Sequence, residues 1–161
     1  MSGDLLAVYL TDHLAGATAG SSRMRRLAEH ERTASDGAEL DQIAAEIEED
    51  RQTLDQILTA AGVSPPWHKT VSAWLAERVG LLKANGRLVR RSPLTSVLEL
   101  ELMRMAVTGK ASLWEALKHT DLRNQFDFDG LLERATGQLR RLEAAHDLRA
   151  SIVGQRADPD R

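Results

Sequence analysis

The sequence predicts an all-α fold, a four-helix bundle with a short additional connecting helix between the second and third long helices. Apolar residues recur at spacings of three and four over long stretches, and alternating β-branched runs are absent. Ser-Pro pairs and an Asn-Gly pair lie where such helices would begin and end. The four long segments, of about 24–29 residues, correspond to helices of ~36–43 Å. Helices of matched length are typical of a bundle.

The first predicted helix covers about 3–31, and the second follows the stretch "SDGAEL". Asp36 is expected to cap the second helix, and Glu39, three residues later, completes a capping-box pattern. The helix is expected to run to about Ala61, because Gly62 can adopt the left-handed conformation that ends helices.

The third and fourth predicted helices both begin at a Ser-Pro pair. Ser64 caps the third helix and Pro65 takes its first position, where the missing N–H costs nothing. This short helix ends at the Asn-Gly pair 85–86. The fourth begins at Pro93 by the same logic and runs to about Lys118.

The fifth predicted helix runs from near Asp127 to about Val153. Residues 1–153 are therefore expected to form a single helical domain, followed by a flexible polar tail over 154–161.

Composition excludes several functional classes. The 161 residues include no Cys, which rules out disulfides, thiol catalysis and Cys-based metal sites. The net charge of −3 argues against nucleic acid or an anionic membrane as a partner. We see no signal peptide and no apolar run near the ~20 residues that cross a bilayer. The expectation is a soluble, cytoplasmic protein.

Ionisable residues interrupt the apolar stripes that should face the core. Asp50 interrupts the stripe of the second helix, His13 that of the first and His146 that of the fifth. The fifth helix's stripe is taken as Phe128, Leu132, Ala135, Leu139, Leu142, His146, Arg149 and Val153. The fourth helix is apolar on nearly all sides, which predicts the most enclosed position, yet it carries Glu99 and Glu101.

Buried ionised groups are normally paired or bound to a metal, because burying a charge alone costs several kcal/mol. Two interpretations follow. In the first, the inward groups form hydrogen bonds and ion pairs with Arg51, Arg104 or Arg149. In the second, they are ligands.

Three stretches, "YLTDHLAGATAG", "EIEEDRQTL" and "TGKASLWEAL", resemble an uncharacterised bacterial family of small ferritin-like helical proteins. The resemblance spans most of the chain. It implies a ferritin-like bundle and, by extension, a di-metal site. Such sites use a Glu from each of two helices and a Glu-x-x-His pair from each of the other two.

One Glu-x-x-His pair is present, Glu143 with His146. The second is absent: the second helix has Glu46 followed three residues later by Glu49, and the first has His13 where a Glu is expected. The candidate ligands for iron, manganese or zinc are therefore His13, Glu46, Asp50, Glu101, Glu143 and His146.

The path of the third helix decides whether these groups can meet. If that helix caps one end of an up-down-up-down bundle, His13, Asp50, Glu101 and His146 share one layer. If it climbs the bundle as a ferritin-type crossover, the pair His13–Asp50 lies ~12 Å along the axis from the pair Glu101–His146. A single site on four helices then cannot form.

Helical glycines mark positions of close approach or open space. Gly16, Gly20, Gly109, Gly130 and Gly137 each cost about 1 kcal/mol relative to Ala. We interpret them as sites of tight helix packing, with a ligand pocket as the alternative.

The first functional hypothesis is a non-catalytic structural or protein-interaction module without a cofactor, whose partner is a second copy or another protein. The alternative is a degenerate, di-iron-like metal-binding bundle. The sequence contains no phosphate loop, dinucleotide fingerprint or Ser-His-Asp arrangement that would indicate an enzyme.

Overall fold

The computed structural model describes residues 3–63 and 93–156. These residues form four α-helices and one short 3-10 helix, and they contain no strand. The helices are α1 (Gly3–His30), α2 (Gly37–Ala60), α3 (Pro93–Leu117) and α4 (Phe128–Arg156), with the 3-10 helix at Asp121–Asn124. The all-α prediction is confirmed. The third predicted helix lies outside the described residues.

The turns around α2 follow from individual residues. Gly62 ends the helix with a φ of 71°, as predicted. A Cβ on Gly37 would lie 2.5 Å from the carbonyl oxygen of Arg32, so the α1–α2 turn requires glycine there. The predicted capping box is wrong. Asp36 occupies the N-cap position but makes no capping hydrogen bond, because its carboxylate binds Arg149 of α4.

One end of the bundle is held together by Arg149, which is 6% exposed. It bonds Asp36 at 2.6 Å and Glu31 at 3.2 Å. Glu31 also accepts a hydrogen bond of 2.5 Å from Ser96. The end of α1, the beginnings of α2 and α3, and the C-terminal part of α4 therefore meet here.

The opposite end is apolar. Leu10 of α1, Leu58 of α2, Leu117 of α3 and Phe128 of α4 belong to one buried cluster, centred on Trp114. These contacts fix the directions of the helices. α1 and α4 run one way and α2 and α3 the other, so α2 and α3 are parallel.

The connection from α2 to α3 begins and finishes at opposite ends of the bundle, as the crossover alternative requires. Val63 packs at the apolar end, whereas Ser96 lies at the Arg149 end. Residues 64–92, which connect them, lie outside the described residues. Two antiparallel hairpins result, with α1 packed extensively on α2 and α3 on α4. Contacts of α1 with α3, and of α2 with α4, are sparser.

The inward stripe of α2, which Asp50 was predicted to interrupt, is confirmed. Its residues at spacings of three and four are all buried, namely Leu40, Ile43, Ile47, Asp50, Leu54 and Ile57. For α4, the predicted phase is partly wrong. Its buried residues follow the other available register, at positions Phe128, Leu131, Ala135, Gln138, Leu142, Ala145 and Arg149. The helix also runs to Arg156, so it includes the first three residues of the predicted tail.

The prediction that the helix now named α3 is the most enclosed is wrong. Leu94, Leu98, Leu102 and Met105 are 38–70% exposed on one face of it. No described helix combines the length and apolar character that crossing a bilayer requires.

Candidate functional site

A cluster of charged and amide side chains lies in the middle of the bundle, around Asp50 of α2. Asp50 is 1% exposed. Its Oδ2 accepts a hydrogen bond from the ammonium of Lys110 on α3, and its Oδ1 pairs with the guanidinium of Arg134 on α4. Arg134 also contacts Glu49 at 3.2 Å. A buried carboxylate is thereby matched by cations from two other helices, which such a group requires.

Gln138 of α4, which is 0% exposed, connects the members of this cluster. Its Oε1 accepts a bond of 2.6 Å from Lys110, and its Nε2 donates to Asp50 at 3.2 Å and to Glu46 at 3.3 Å. Both ends of the amide therefore have partners, which removes the cost of burying it.

Glu46 extends the cluster toward the surface between α2 and α4. Its carboxylate pairs with Arg141, which also bonds Glu39 at 3.3 Å. Burial pushes the pKa of Glu46 upward, but hydrogen bonds from Arg141 and Gln138 outweigh it and hold the pKa below the usual value. Long polar side chains thus fill the space between α2 and α4.

The space between α1, α2 and α3 is left open instead. It contains a cavity of about 470 Å³. Aliphatic side chains from α2 and α3 form much of its wall, namely Ile47, Leu54, Met103, Val107 and Leu113. His13, Tyr9, Asp50 and Lys110 are the main polar contributors. Asp12 and Gly16, both exposed, lie at its rim and indicate that it opens beside α1.

Glycines line this cavity. A Cβ on Gly16 or Gly109 would meet no atom within 4 Å, and one on Gly20 would lie 4.0 Å from the Met103 methyl carbon. These positions therefore leave room for larger side chains. The interpretation of tight packing at these glycines does not fit this space, whereas the alternative of a pocket does.

Lys110 belongs to both the cluster and the cavity. Only 13% of its side chain is exposed. Burial lowers its pKa, and attraction to Asp50 opposes that effect. Ion pairing explains how an ammonium is retained so deep in the bundle.

His13 lies half-buried on the α1 wall, with its ring centroid 4.6 Å from that of Tyr9 in an edge-on contact. Burial lowers its pKa, against the opposing influence of Asp12. A neutral imidazole is therefore favoured near pH 7, where it can both donate and accept a hydrogen bond.

Arg51 also lines the cavity, but its charge is already held. It bonds Asp55 at 2.7 Å and Glu48 at 2.9 Å along α2. The hydrogen bonds from Arg51 lower the pKa of Glu48 to about 2.

The six predicted metal ligands lie in separate places. His13 and Asp50 both line the cavity, and Glu46 joins Asp50 through Gln138. His146, half-buried at the flank of α4, contacts Glu101 at 3.3 Å and Asp147 at 3.1 Å. Lys110, which pairs with Asp50, is nine residues beyond Glu101 on α3. The group around Asp50 and the pair Glu101–His146 are therefore ~13 Å apart along the axis.

Glu143, the last of the six, is exposed and pairs with Arg104 at 3.2 Å. Within residues 3–63 and 93–156, no three His, Asp or Glu side chains are grouped so that they could hold a metal ion. Ion pairing with Arg51, Arg104 or Arg149 was the other interpretation for His13, Asp50, Glu101 and His146, and within the described residues none of the four bonds to those arginines. Asp50 pairs with Lys110 and Arg134 instead, Glu101 and His146 contact each other, and His13 packs on Tyr9.

Sequence reasoning missed Lys110, Arg134 and Gln138. The signal for Gln138 was available, since it lies in the stripe 128, 131, 135, 138, 142, 145 and 149, whose spacing is as regular as the register chosen. Lys110 carried no such signal, because it stands among polar and small residues in "TGKAS".

Comparison of this chain with protein-family models, with characterised proteins and with solved structures finds no match.

Proposed function

We propose that this chain is a non-catalytic binding bundle whose cavity between α1, α2 and α3 takes a small, mainly apolar molecule. The observation that carries the proposal is the cavity of about 470 Å³, which remains open because glycine stands at wall positions where larger side chains would fit. The space opens beside α1, where Asp12 and Gly16 are exposed, so a small molecule can enter it from solvent.

The size and lining of the cavity suit this role. Ligand pockets commonly measure about 300–1,000 Å³ and combine an apolar wall with a few polar groups. Apart from His13 and the rim carboxylate Asp12, the ionisable side chains with charges at the wall support binding rather than catalysis. Asp50, Lys110 and Arg51 are each held in ion pairs, so none is poised as a base or nucleophile.

Diphenylmethane, an apolar molecule of two rings, is a suitable probe. We expect it to bind the full chain in calorimetry and Gly109→Leu to weaken binding at least tenfold, because the leucine fills the cavity. Gly137→Leu on α4 is the matched control. Gly137 also has no atom within 4 Å of a built Cβ and is likewise partly exposed, but it does not line the cavity. Equal loss in both variants, or no binding to the unmodified chain, would refute the proposal.

A second candidate is the protein-interaction module, as a homodimer. The observation that favours it is the exposed apolar face of α3, formed by Leu94, Leu98, Leu102 and Met105. These residues follow spacings of four, four and three, so they form a stripe ~16 Å long. Contiguous exposed apolar surface marks interaction sites.

Sedimentation equilibrium tests the homodimer. Leu98→Glu is expected to shift a dimer toward monomer, whereas Val8→Glu on α1 is not. Val8 is 62% exposed and Leu98 55%, so the two substitutions are matched in exposure. A monomeric wild-type chain would eliminate this candidate.

The ferritin-like relationship and the metal-binding alternative stay proposals. The parallel arrangement of α2 and α3, with one long connection, supports the ferritin-like relationship, because ferritin-like bundles have one such crossover. The contact between Glu101 and His146 supports the metal-binding alternative. Elemental analysis of protein purified without chelator tests it, and well below one metal per chain would eliminate it.

A further inference from the structure

We infer that the cavity selects an uncharged ligand with a hydrogen-bond acceptor, such as a ketone or amide carbonyl, that binds the ammonium of Lys110. This inference rests on the proposed function and specifies the chemistry of its ligand. It is carried by the position of Lys110, which is shared between the cavity wall and the cluster around Asp50.

The hydrogen bonds of Lys110 supply the donor. An ammonium has three N–H groups. Within the described part of the chain, Lys110 donates to two acceptors, Asp50 and Gln138. One N–H of this side chain, which lines the cavity, is therefore left without an acceptor among the described residues. A buried donor that a bound ligand leaves unpaired costs free energy, so a ligand with an acceptor is preferred over one without.

The charges around the cavity favour a neutral ligand. Lys110 and Arg134 are matched by Asp50 and Glu49. Arg51 is held by Glu48 and Asp55. A ligand carboxylate would lie close to the carboxylate of Asp50, and a ligand cation would lie close to Lys110. Because the charges beside Lys110 are already matched in these pairs, either ion would lose hydration there without compensation, whereas Asp12, at the exposed rim, stays in water.

The remainder of the wall explains why the acceptor is confined to one end of the ligand. Leu54, Met103 and Val107 offer no hydrogen bonds and are each at most 2% exposed. The ligand is therefore expected to have an apolar body with its carbonyl group toward Lys110.

Benzophenone and diphenylmethane form a test pair, since they have similar shapes and differ in a carbonyl and a methylene group. The ratio of their affinities is measured in wild type and in Lys110→Met. We expect the variant to reduce the preference for the ketone about tenfold, the value of one hydrogen bond to a charged group. Lys118→Met is the control, because Lys118 pairs with Asp129 and does not line the cavity. It should leave the ratio unchanged.

A measurement on the wild-type chain keeps the inference testable if Lys110→Met does not fold. The ¹³C resonance of carbonyl-labelled benzophenone should move downfield on binding, relative to its position in an apolar solvent, because the carbonyl accepts a hydrogen bond. The inference is overturned if both probes bind but the ¹³C resonance does not move downfield, or if Lys110→Met leaves the ratio of the two affinities unchanged. Either result leaves the cavity proposal standing. Failure of both probes to bind removes the proposed function, and this inference with it.

Discussion

Two helix pairs of the bundle, α2 with α4 and α1 with α3, have few backbone contacts. The space between the helices is filled in the first pair and open in the second. Between α2 and α4, the long side chains of Glu46, Gln138 and Arg141 bridge the gap with hydrogen bonds. Between α1 and α3, glycines of both helices line an opening. The comparison shows that side-chain length, rather than helix arrangement, determines where this fold is filled and where it is hollow. Lys110 connects the two sides.

The largest expected effect is at the carboxylate that both sides share. Asp50→Ala should lower the free energy of unfolding by about 3–5 kcal/mol, because it removes the buried counter-charge of Lys110 and Arg134. Urea denaturation measures it. The control, Glu49→Ala, removes a mostly exposed partner of Arg134 and should cost at most about 1 kcal/mol. Comparable losses for the two variants would contradict the described cluster.

The stability of the filled side, between α2 and α4, should depend on the buried amide of Gln138. Gln138→Ala removes partners of Lys110, Asp50 and Glu46 together, so we expect a loss of about 1–3 kcal/mol in the same denaturation experiment. Gln56→Ala, at an exposed position of the same residue type on α2, should leave stability nearly unchanged. A neutral Gln138→Ala would show that the amide is not needed there.

The open side should instead tolerate added atoms. Gly109→Ala is expected to raise stability by about 1 kcal/mol, since the new methyl group meets nothing within 4 Å and alanine favours the helix. Gly37→Ala, whose methyl would meet a carbonyl oxygen at 2.5 Å, should lower it. Thermal or chemical denaturation compares them. Destabilisation by Gly109→Ala would mean that the cavity wall is closed.

The smallest effect concerns pH at the cavity wall. The lowered pKa of His13 means that the unfolded chain takes up a proton more readily than the folded one as pH falls below about 6.5. The stability contributed by neutral His13 is therefore present above that pH and is lost as pH falls through the folded pKa. His13→Gln should flatten the decline in stability between pH 7 and pH 5. Identical slopes in the two proteins would contradict the assignment.

The sequence correctly predicted those helices and helix ends for which the residue pattern allows only one interpretation. The stripe of α2 has a single clear phase, and its one polar member, Asp50, was identified as buried. The ends of α2 and α4 were placed by Gly62 and Asp127, and the latter does accept a hydrogen bond from Gly130 at the helix start. Local signals of this kind need no information from the rest of the fold.

Other features depend on neighbours that a single chain segment cannot reveal. The stripe of α4 has two registers of equal quality, and the register that buries Gln138 is selected by Asp50 and Lys110 on other helices. The exposed face of α3 resembles a core face in sequence. The glycines were interpreted as sites of tight packing, and the pocket was only the alternative, because the sequence does not give the distance between α1 and α3.

The most direct test of a ligand cavity on the open side is methyl NMR of the methionines with diphenylmethane added. Met103 lines the cavity, whereas Met24, a member of the same buried cluster, does not line it. The Met103 methyl resonance should move in a saturable way while that of Met24 stays in place. An unchanged Met103 resonance at the solubility limit of the probe, or equal movement of both methyl groups, would contradict the account.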